Sequence, residues 1–144
     1  SKTMFVAIQK IKTGEHIEQQ ETEQGVVDVV IPEYSDHLAF VAETREELEN
    51  SDFITYDRIE EYEYAEIYNG IIYIDKNECK TAKNENIKQK RAQLYAEHID
   101  TLHAQKTKDT IMGEWSDEKE QEYIAKVKEL TIKIREENPY IDIE

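Results

Sequence analysis

The spacing of hydrophobic and polar positions changes about midway along the chain. Residues 1–80 contain short runs of strand-forming residues, whereas apolar residues in the second half recur every three or four positions. Alternation with a period of two is typical of a half-covered strand, and steps of three and four are typical of an amphipathic helix. The pattern predicts an α+β protein, with an antiparallel β-rich domain over residues 1–80 and a helical hairpin, a coiled-coil-like arm, over residues 81–144.

The first apolar run predicts a strand that ends in a turn. MFVAIQKI (4–11) is rich in strand formers, and Thr13-Gly14 is predicted to turn the chain into a second strand, EHIEQQ (15–20).

Two further runs predict strands before a short helix. VVDVVI (26–31) is predicted to stop at Pro32, and HLAFVA (37–42) forms a separate short strand. Thr44 and Glu47 have the spacing of a capping box, which predicts a short helix after the last of these strands.

The segment EEYEYAEIYNGIIYIDK (60–76) predicts a β-hairpin. Asn69-Gly70 is the preferred pair for a two-residue turn, because both central positions need positive φ. Alternation places the tyrosines on one face. They either pack on a core, with glutamates preventing the exposed edge from pairing with another chain, or form a contact surface. The candidate partner-binding residues here are Tyr62, Tyr64, Tyr68, Glu60, Glu61, Glu63 and Glu66.

Two helices are predicted in the second half, over 85–106 and 117–137, after a polar boundary segment at 76–86. Ser116 is a candidate N-cap, and Asn138-Pro139 ends the second helix. Antiparallel packing would bury both apolar stripes, either within one chain or between subunits. Trp115 in the connection either caps this core or marks a contact at its tip, so it joins the candidate partner-binding residues.

The charge restricts the class of partner. The chain has 33 acidic and 18 basic residues and a formal net charge of −15. This disfavours direct binding to nucleic acid or to an anionic membrane, because both depend on clustered Lys and Arg. A basic protein surface remains as a partner, and solubility alone also explains such a charge.

Cysteine usage and the start of the chain bear on location. Cys79 is the single cysteine, so neither an internal disulfide nor a Cys-based zinc site is expected, which suits a reducing cytoplasm. The apolar run near the start is too short for a signal-peptide core or a membrane span. We expect the protein to remain in the cytoplasm where it is made.

No catalytic constellation is apparent. Neither a Gly-rich phosphate loop nor a nucleophile elbow occurs, and the many carboxylates single out no acid/base pair. His98 and His103 are five residues apart, about 140° around a helix, which disfavours a shared metal and leaves His98 in the apolar stripe. The sequence predicts a protein that is not an enzyme and has no catalytic residue, metal site or cofactor.

The last third resembles a segment at the ends of phage tail-associated proteins. KRAQLYAEHIDTL (90–102) and GEWSDEKEQEYIAKVKELTIKIREENPY (113–140) are similar to a helix, a Gly-Glu turn and a second helix ending in Pro-Tyr. The matching residues are Arg91, Tyr95, Asp100, Leu102, Gly113, Glu114, Tyr123, Lys126, Ile134, Arg135, Pro139 and Tyr140. The ending EENPYIDIE is less basic than the ending of that segment.

The resemblance implies a small accessory protein of a tailed phage or prophage that acts by assembly in the tail, baseplate or tail-fibre region. Its partners would be other tail proteins, in the host cytoplasm during assembly or in the virion tail, and it could form a homo-oligomer. Two alternatives stay open. One is an acidic inhibitor that mimics nucleic acid, because acids are dense in residues 43–66. The other is an enzyme whose site is assembled from scattered carboxylates.

Overall fold

The computed structural model describes residues 2–51 and 56–143. The protein has the α+β class expected from its sequence, with antiparallel strands in the N-terminal part and helices in the C-terminal part. The chain divides into two compact units, Ser1–Cys79 and Lys80–Glu144, beside the boundary expected after residue 80.

The first unit is built on one long antiparallel pair of strands. β1 (Met4–Thr22) pairs with β2 (Gly25–Ala42) from Phe5↔Ala42 to Thr22↔Gly25. A third strand, β3 (Arg58–Tyr62), pairs only with Met4–Ile8, so the strand order is β2-β1-β3. Over residues 2–51 and 56–143 the sheet is therefore three-stranded at its base and two-stranded beyond it.

The core of this unit lies at the three-stranded base. Val6, Ala7 and Ile8 of the central strand are buried, together with Leu48 and Cys79. Side chains of a central strand are covered by neighbours on both edges as well as by whatever packs on the faces. Burial in β1 consequently ends where β3 ends.

The turn predicted at Thr13-Gly14 is wrong, because β1 continues through it. The register shifts between Lys12 and Gly14, which leaves Thr13 as an extra residue in a β-bulge. Its hydroxyl donates to the Glu33 carbonyl, 3.4 Å away. A bulge takes up one residue without ending the pairing, and a glycine beside it is a common feature of such sites.

The strand end predicted at Pro32 is also wrong. Pro32 pairs with Glu15 inside β2, so the two predicted strands at 26–31 and 37–42 are parts of one. β2 is an edge strand of its sheet, and an edge strand tolerates a proline whose missing N–H faces outward.

The short helix and the tight turn occur as predicted. α1 (Arg45–Glu49) begins after Thr44, whose hydroxyl accepts a hydrogen bond from the Glu47 N–H at 3.3 Å. β4 (Glu66–Tyr68) and β5 (Ile71–Tyr73) form a separate hairpin. Asn69 and Gly70 have φ of 49° and 75°, as a two-residue turn of this kind requires.

The second half is helical, with bounds that differ from those predicted. α2 (Lys76–His98) begins in the segment predicted as a polar boundary, because the Asp75 carboxylate accepts from the N–H groups of Asn77 and Glu78 at 2.8 and 3.2 Å. α3 (Asp100–Ile111) continues α2 through Ile99, whose N–H still donates to Tyr95 four residues back. The first helix is thus longer than predicted at both ends.

The second helix has the bounds that were predicted. α4 (Asp117–Glu137) starts after Ser116, whose hydroxyl accepts from the Lys119 N–H at 3.2 Å, and it ends at Asn138. Within the second unit α4 runs antiparallel to α2 and α3. The paired contacts are Asn84 with Ile141, Arg91 with Asn138, His103 with Tyr123, Lys106 with Glu120 and Asp109 with Lys119.

The apolar stripes close within one chain but remain half-covered. Of the residues on the two predicted stripes, Ile134 alone is buried among those the structure describes, while Leu94, Leu102 and Leu130 are half-buried. The expectation that hairpin packing buries both stripes is therefore wrong. Two helices share only one contact line, which leaves the flanks of each stripe open.

In the described part of the chain, none of the helices combines the length and the hydropathy needed to cross a bilayer.

Candidate functional site

The tyrosines predicted to share one hairpin face belong to different elements. Tyr62 is the last residue of β3 and pairs with Met4, whereas Tyr68 lies in the β4–β5 hairpin. Tyr64 lies between them, outside any strand. The predicted single ribbon is wrong because residues 58–62 add to the edge of β1 instead of extending the hairpin.

Glu60 takes part in a charge network across the three-stranded base. The Arg58 guanidinium lies 2.6 Å from Asp36 of β2 and 2.7 Å from Glu60, and the Tyr62 hydroxyl donates to Glu60 at 2.7 Å. Arg58 lies on β3 and pairs with Ile8 of the central strand β1. Because its side chain reaches Asp36 on β2, it links the two outer strands of the sheet.

These contacts shift the pKa values of the network. The hydrogen bond from Arg58, followed by that from Tyr62, holds the pKa of Glu60 below its usual value, and Arg58 likewise lowers the pKa of Asp36. The hydrogen bond to Glu60 raises the pKa of Tyr62. Glu60 and Tyr62 are therefore committed to internal partners.

Glu66 and Tyr64 form a second internal cluster with the single cysteine. The Tyr64 hydroxyl donates to the Glu66 carboxylate, and Cys79 Sγ lies 3.7 Å from the same carboxylate. Burial raises the pKa of Tyr64 first, followed by its interactions with Cys79 and Glu66. At Tyr64 this arrangement favours the interpretation in which the tyrosines pack inward over the one in which they form a contact surface.

Glu61 and Glu63 differ from the other two candidate glutamates because they are exposed. They belong to the acidic segment 43–66, of which residues 52–55 lie outside the described part. The two arginines of that segment already have partners, since Arg58 binds Asp36 and Glu60 while Arg45 lies 5.7 Å from the Phe5 ring centroid. The exposed charge of this segment is thus strongly negative.

Trp115 closes the end of the helical hairpin. Its indole N–H donates to Glu120 at 2.8 Å, and its ring meets Tyr123 edge to face at 6.0 Å between centroids. The Lys106 ammonium lies 5.7 Å from the Trp115 ring centroid, 4.8 Å from that of Tyr123, and 2.9 Å from the Glu120 carboxylate. Lys106, followed by Trp115, lowers the pKa of Glu120.

A cavity of about 430 Å³ opens beside this cluster. Trp115, Tyr123 and Leu102 provide its apolar wall, and polar and charged side chains complete it. The polar lining residues are Gln105, Lys119, Glu122 and Lys126. A cavity with aromatic walls and a polar rim can receive a protruding side chain of a partner.

The most exposed apolar residues of the second unit lie next to Trp115 in sequence. Ile111, the last residue of α3, is 79% exposed, and Met112, its C-cap, is 63% exposed. Sequence reasoning named Trp115 and missed these two, although the apolar pair in DTIMGEWS stands within an otherwise polar connection. We call Ile111, Met112 and Trp115 the hairpin tip.

Across residues 2–51 and 56–143, His, Cys, Asp and Glu side chains do not gather in groups of three that would hold a metal ion. His98 lies beside Leu94, Leu130 and Ile134 of the apolar stripes, as predicted, but its side chain is exposed and its ring is 4.0 Å from Glu97. His103 Nδ1 lies 3.4 Å from the Tyr123 hydroxyl, on the paired face.

Comparison of the chain with protein-family models, curated proteins and solved structures gives no match.

Proposed function

We propose that this protein is a non-catalytic assembly protein that contacts other proteins through its hairpin tip. The observation that carries the proposal is the pair of exposed residues Ile111 and Met112, at 79% and 63% exposure, held by an ordered turn beside an aromatic cluster. Large exposed apolar side chains next to a Trp are characteristic of protein contact sites.

The turn itself supports this role, because it is held by the hairpin. The Asp109 carbonyl accepts the Glu114 N–H at 2.8 Å, and the Asp109 carboxylate lies 3.5 Å from Lys119 of α4. A rigid support reduces the entropy lost when a partner binds. The tip is thus prepared for binding before a partner arrives.

The setting in this proposal is the tail, baseplate or tail-fibre region of a phage or prophage. It rests on the resemblance of residues 90–102 and 113–140 to segments of tail-associated proteins. The partners are other tail proteins, met in the host cytoplasm during assembly and in the virion tail, and the half-covered helical stripes leave room for a homo-oligomer.

The test measures binding to purified tail proteins of the same phage by calorimetry. The variant Ile111→Ser/Met112→Ser should bind about tenfold or more weakly, because two apolar contacts are lost. The matched control is Ile132→Ser, which removes another exposed isoleucine from the same unit and should bind like the wild type.

Two results would refute parts of the proposal. If the wild-type protein binds none of the tail proteins, the phage-tail role is wrong. If the tip variant binds as tightly as the wild type, a surface other than the tip makes the contact.

The exposed acids at Glu61 and Glu63 favour a second candidate, an acidic inhibitor of a basic host protein. Such an inhibitor should bind a DNA-binding enzyme with strong salt dependence. Glu61→Gln/Glu63→Gln should weaken this binding more than Glu60→Gln/Glu66→Gln, because the latter carboxylates already accept internal hydrogen bonds. Equal effects of the two double variants would exclude recognition by the exposed face.

A further inference from the structure

Among the residues that the structure describes, the far part of the β1–β2 pair has no third strand beside it. We call this region, Gly14–Thr22 paired with Gly25–Glu33, the β arm. β3 reaches only Ile8, and the Asp57 carboxylate accepts the Lys10 N–H at 2.5 Å just beyond it. Among the described residues the β arm is a two-stranded ribbon, which is marginally stable by itself in water.

Strand β2 is apolar on both faces of the β arm. The register places Val26 and Val30 on the face of Ile17, and Val27, Val29 and Ile31 on the opposite face. A strand that is apolar on both faces is typical of one covered on both sides. Here, however, Val26 and Val30 are 59% and 56% exposed.

The two edges of the β arm differ in how they are protected. The β1 edge carries charged residues, among them Glu15, Glu18 and Glu21, and charge on an edge strand discourages pairing with another chain. Between residues 26 and 31, β2 has the single charge of Asp28. The β2 edge is consequently the one suited to accept a further strand.

Pro32 indicates which groups of β2 face outward. Because proline has no N–H, its nitrogen fits the ladder only when it points away from β1. Val30, Asp28 and Val26 are two, four and six positions away from Pro32 in unbroken register, so their N–H and C=O groups point the same way as those of Pro32 would. Pro32 also ends this donor row on its C-terminal side.

Charge distinguishes between the partners that could add to this edge. The β arm contains Glu15, Glu18, Glu21, Asp28 and Glu33 and no lysine or arginine. A second copy pairing antiparallel about Asp28 would bring two acidic arms together, and like charges directly opposite each other destabilise a sheet. A strand with basic side chains would be attracted instead.

We propose that the β2 edge at Val26–Ile31 binds an extended segment of a partner protein in which apolar residues alternate with Lys or Arg. The segment adds as a strand, so that its backbone bonds to the outward groups of Val26, Asp28 and Val30. Its apolar side chains cover the exposed valines, and its basic side chains approach the acids of the β arm. This site is separate from the hairpin tip and does not depend on it.

The experiment titrates the whole protein with a short synthetic peptide of alternating valine and lysine, followed by amide NMR. The expected result is a shift of the Val26, Asp28 and Val30 amide signals, with affinity that falls at about 0.5 M salt. A peptide with glutamate in place of lysine should bind at least about tenfold more weakly.

Variants of the edge complete the test. Val30→Pro removes one outward donor and should weaken binding about tenfold, while Val30→Thr keeps the donor and should retain it. If the proline variant does not fold, Asp28→Lys takes its place and should also weaken binding of the lysine peptide. The tip variant Ile111→Ser/Met112→Ser should bind the peptide like the wild type, which separates this proposal from the proposed function.

Three outcomes would overturn the proposal. They are peptide binding that leaves the β2 amides unchanged, equal affinity for the lysine and glutamate peptides, and a solution mass of two copies that is lost on Val30→Pro. The last would show that a second copy occupies the edge.

Discussion

Two isoleucines of the same strand provide a sharp test of where the first unit has its core. Ile8 lies in the three-stranded base between Leu38 and Arg58 and is 1% exposed. Ile17 lies in the β arm opposite Val30 and is 67% exposed. Each is changed to alanine in turn, so the residue type, the strand and the number of atoms removed are the same.

The expected losses of stability differ severalfold. Ile8→Ala removes three buried carbons, worth about 2.4 kcal/mol at ~0.8 kcal/mol each, and the cavity left behind raises the cost to about 3–4 kcal/mol. At Ile17 about a third of the side chain is covered, so the cost should stay below about 1 kcal/mol. The first variant should lower Tm by more than about 10 °C.

The assay is urea unfolding followed by resolved amide NMR signals of β1 and β2, which report the first unit separately from the helices. A midpoint for Ile17→Ala as low as that for Ile8→Ala would refute the reasoning, because it would mean that the β arm is covered in solution. An unchanged midpoint for Ile8→Ala would refute the location of the core.

Three further results are expected. The hydrogen bonds that the protonated His16 ring donates to Glu18 and Glu33 raise its pKa above the usual 6.5, so their contribution to stability is present below pH 6.5 and lost as the pH rises through the raised pKa. NMR titration of the ring should give this raised pKa, and Glu18→Gln should lower it; an unchanged pKa in the variant would contradict the contact. Ser116→Ala removes the α4 N-cap and should cost about 1 kcal/mol in thermal unfolding, whereas no change would mean that the end frays. Gly70→Ala forces a side chain into φ of 75° and should cost about 1 kcal/mol or more, with loss of the β4–β5 cross-strand NMR contacts; intact contacts would contradict the turn.

Local signals were sufficient where one residue type has one structural use. Asn69-Gly70 located the turn, and Thr44 and Ser116 located helix starts, because positive φ and an unpaired N–H group each demand particular side chains. The turn predicted at Thr13-Gly14 and the strand end predicted at Pro32 are wrong because the same residue types also occur in bulges and edge strands. Tertiary pairing decides between those uses, and a local pattern does not contain it.

The candidate contacts were only partly predictable for a related reason. The sequence shows that four glutamates are close together, at positions 60, 61, 63 and 66. It does not show that Arg58 forms an ion pair with Glu60 or that Tyr64 donates a hydrogen bond to Glu66. That division depends on β3 joining β1, which brings together residues fifty or more positions apart. Trp115 stood out by its type, whereas Ile111 and Met112 became candidates only through their exposure.

The antiparallel helices also make the second unit a spacer of defined length. Between Asn84, which bonds to Ile141, and Asp109 near the tip, the rise of a helix gives roughly 38 Å. Exposed apolar side chains stand at both ends, with Ile111 and Met112 at one and Tyr140, Ile141 and Ile143 at the other. A helical hairpin with exposed apolar side chains at both ends can set the distance between two bound proteins. Inserting seven residues into each of the two antiparallel helical segments would lengthen that distance by about 10 Å.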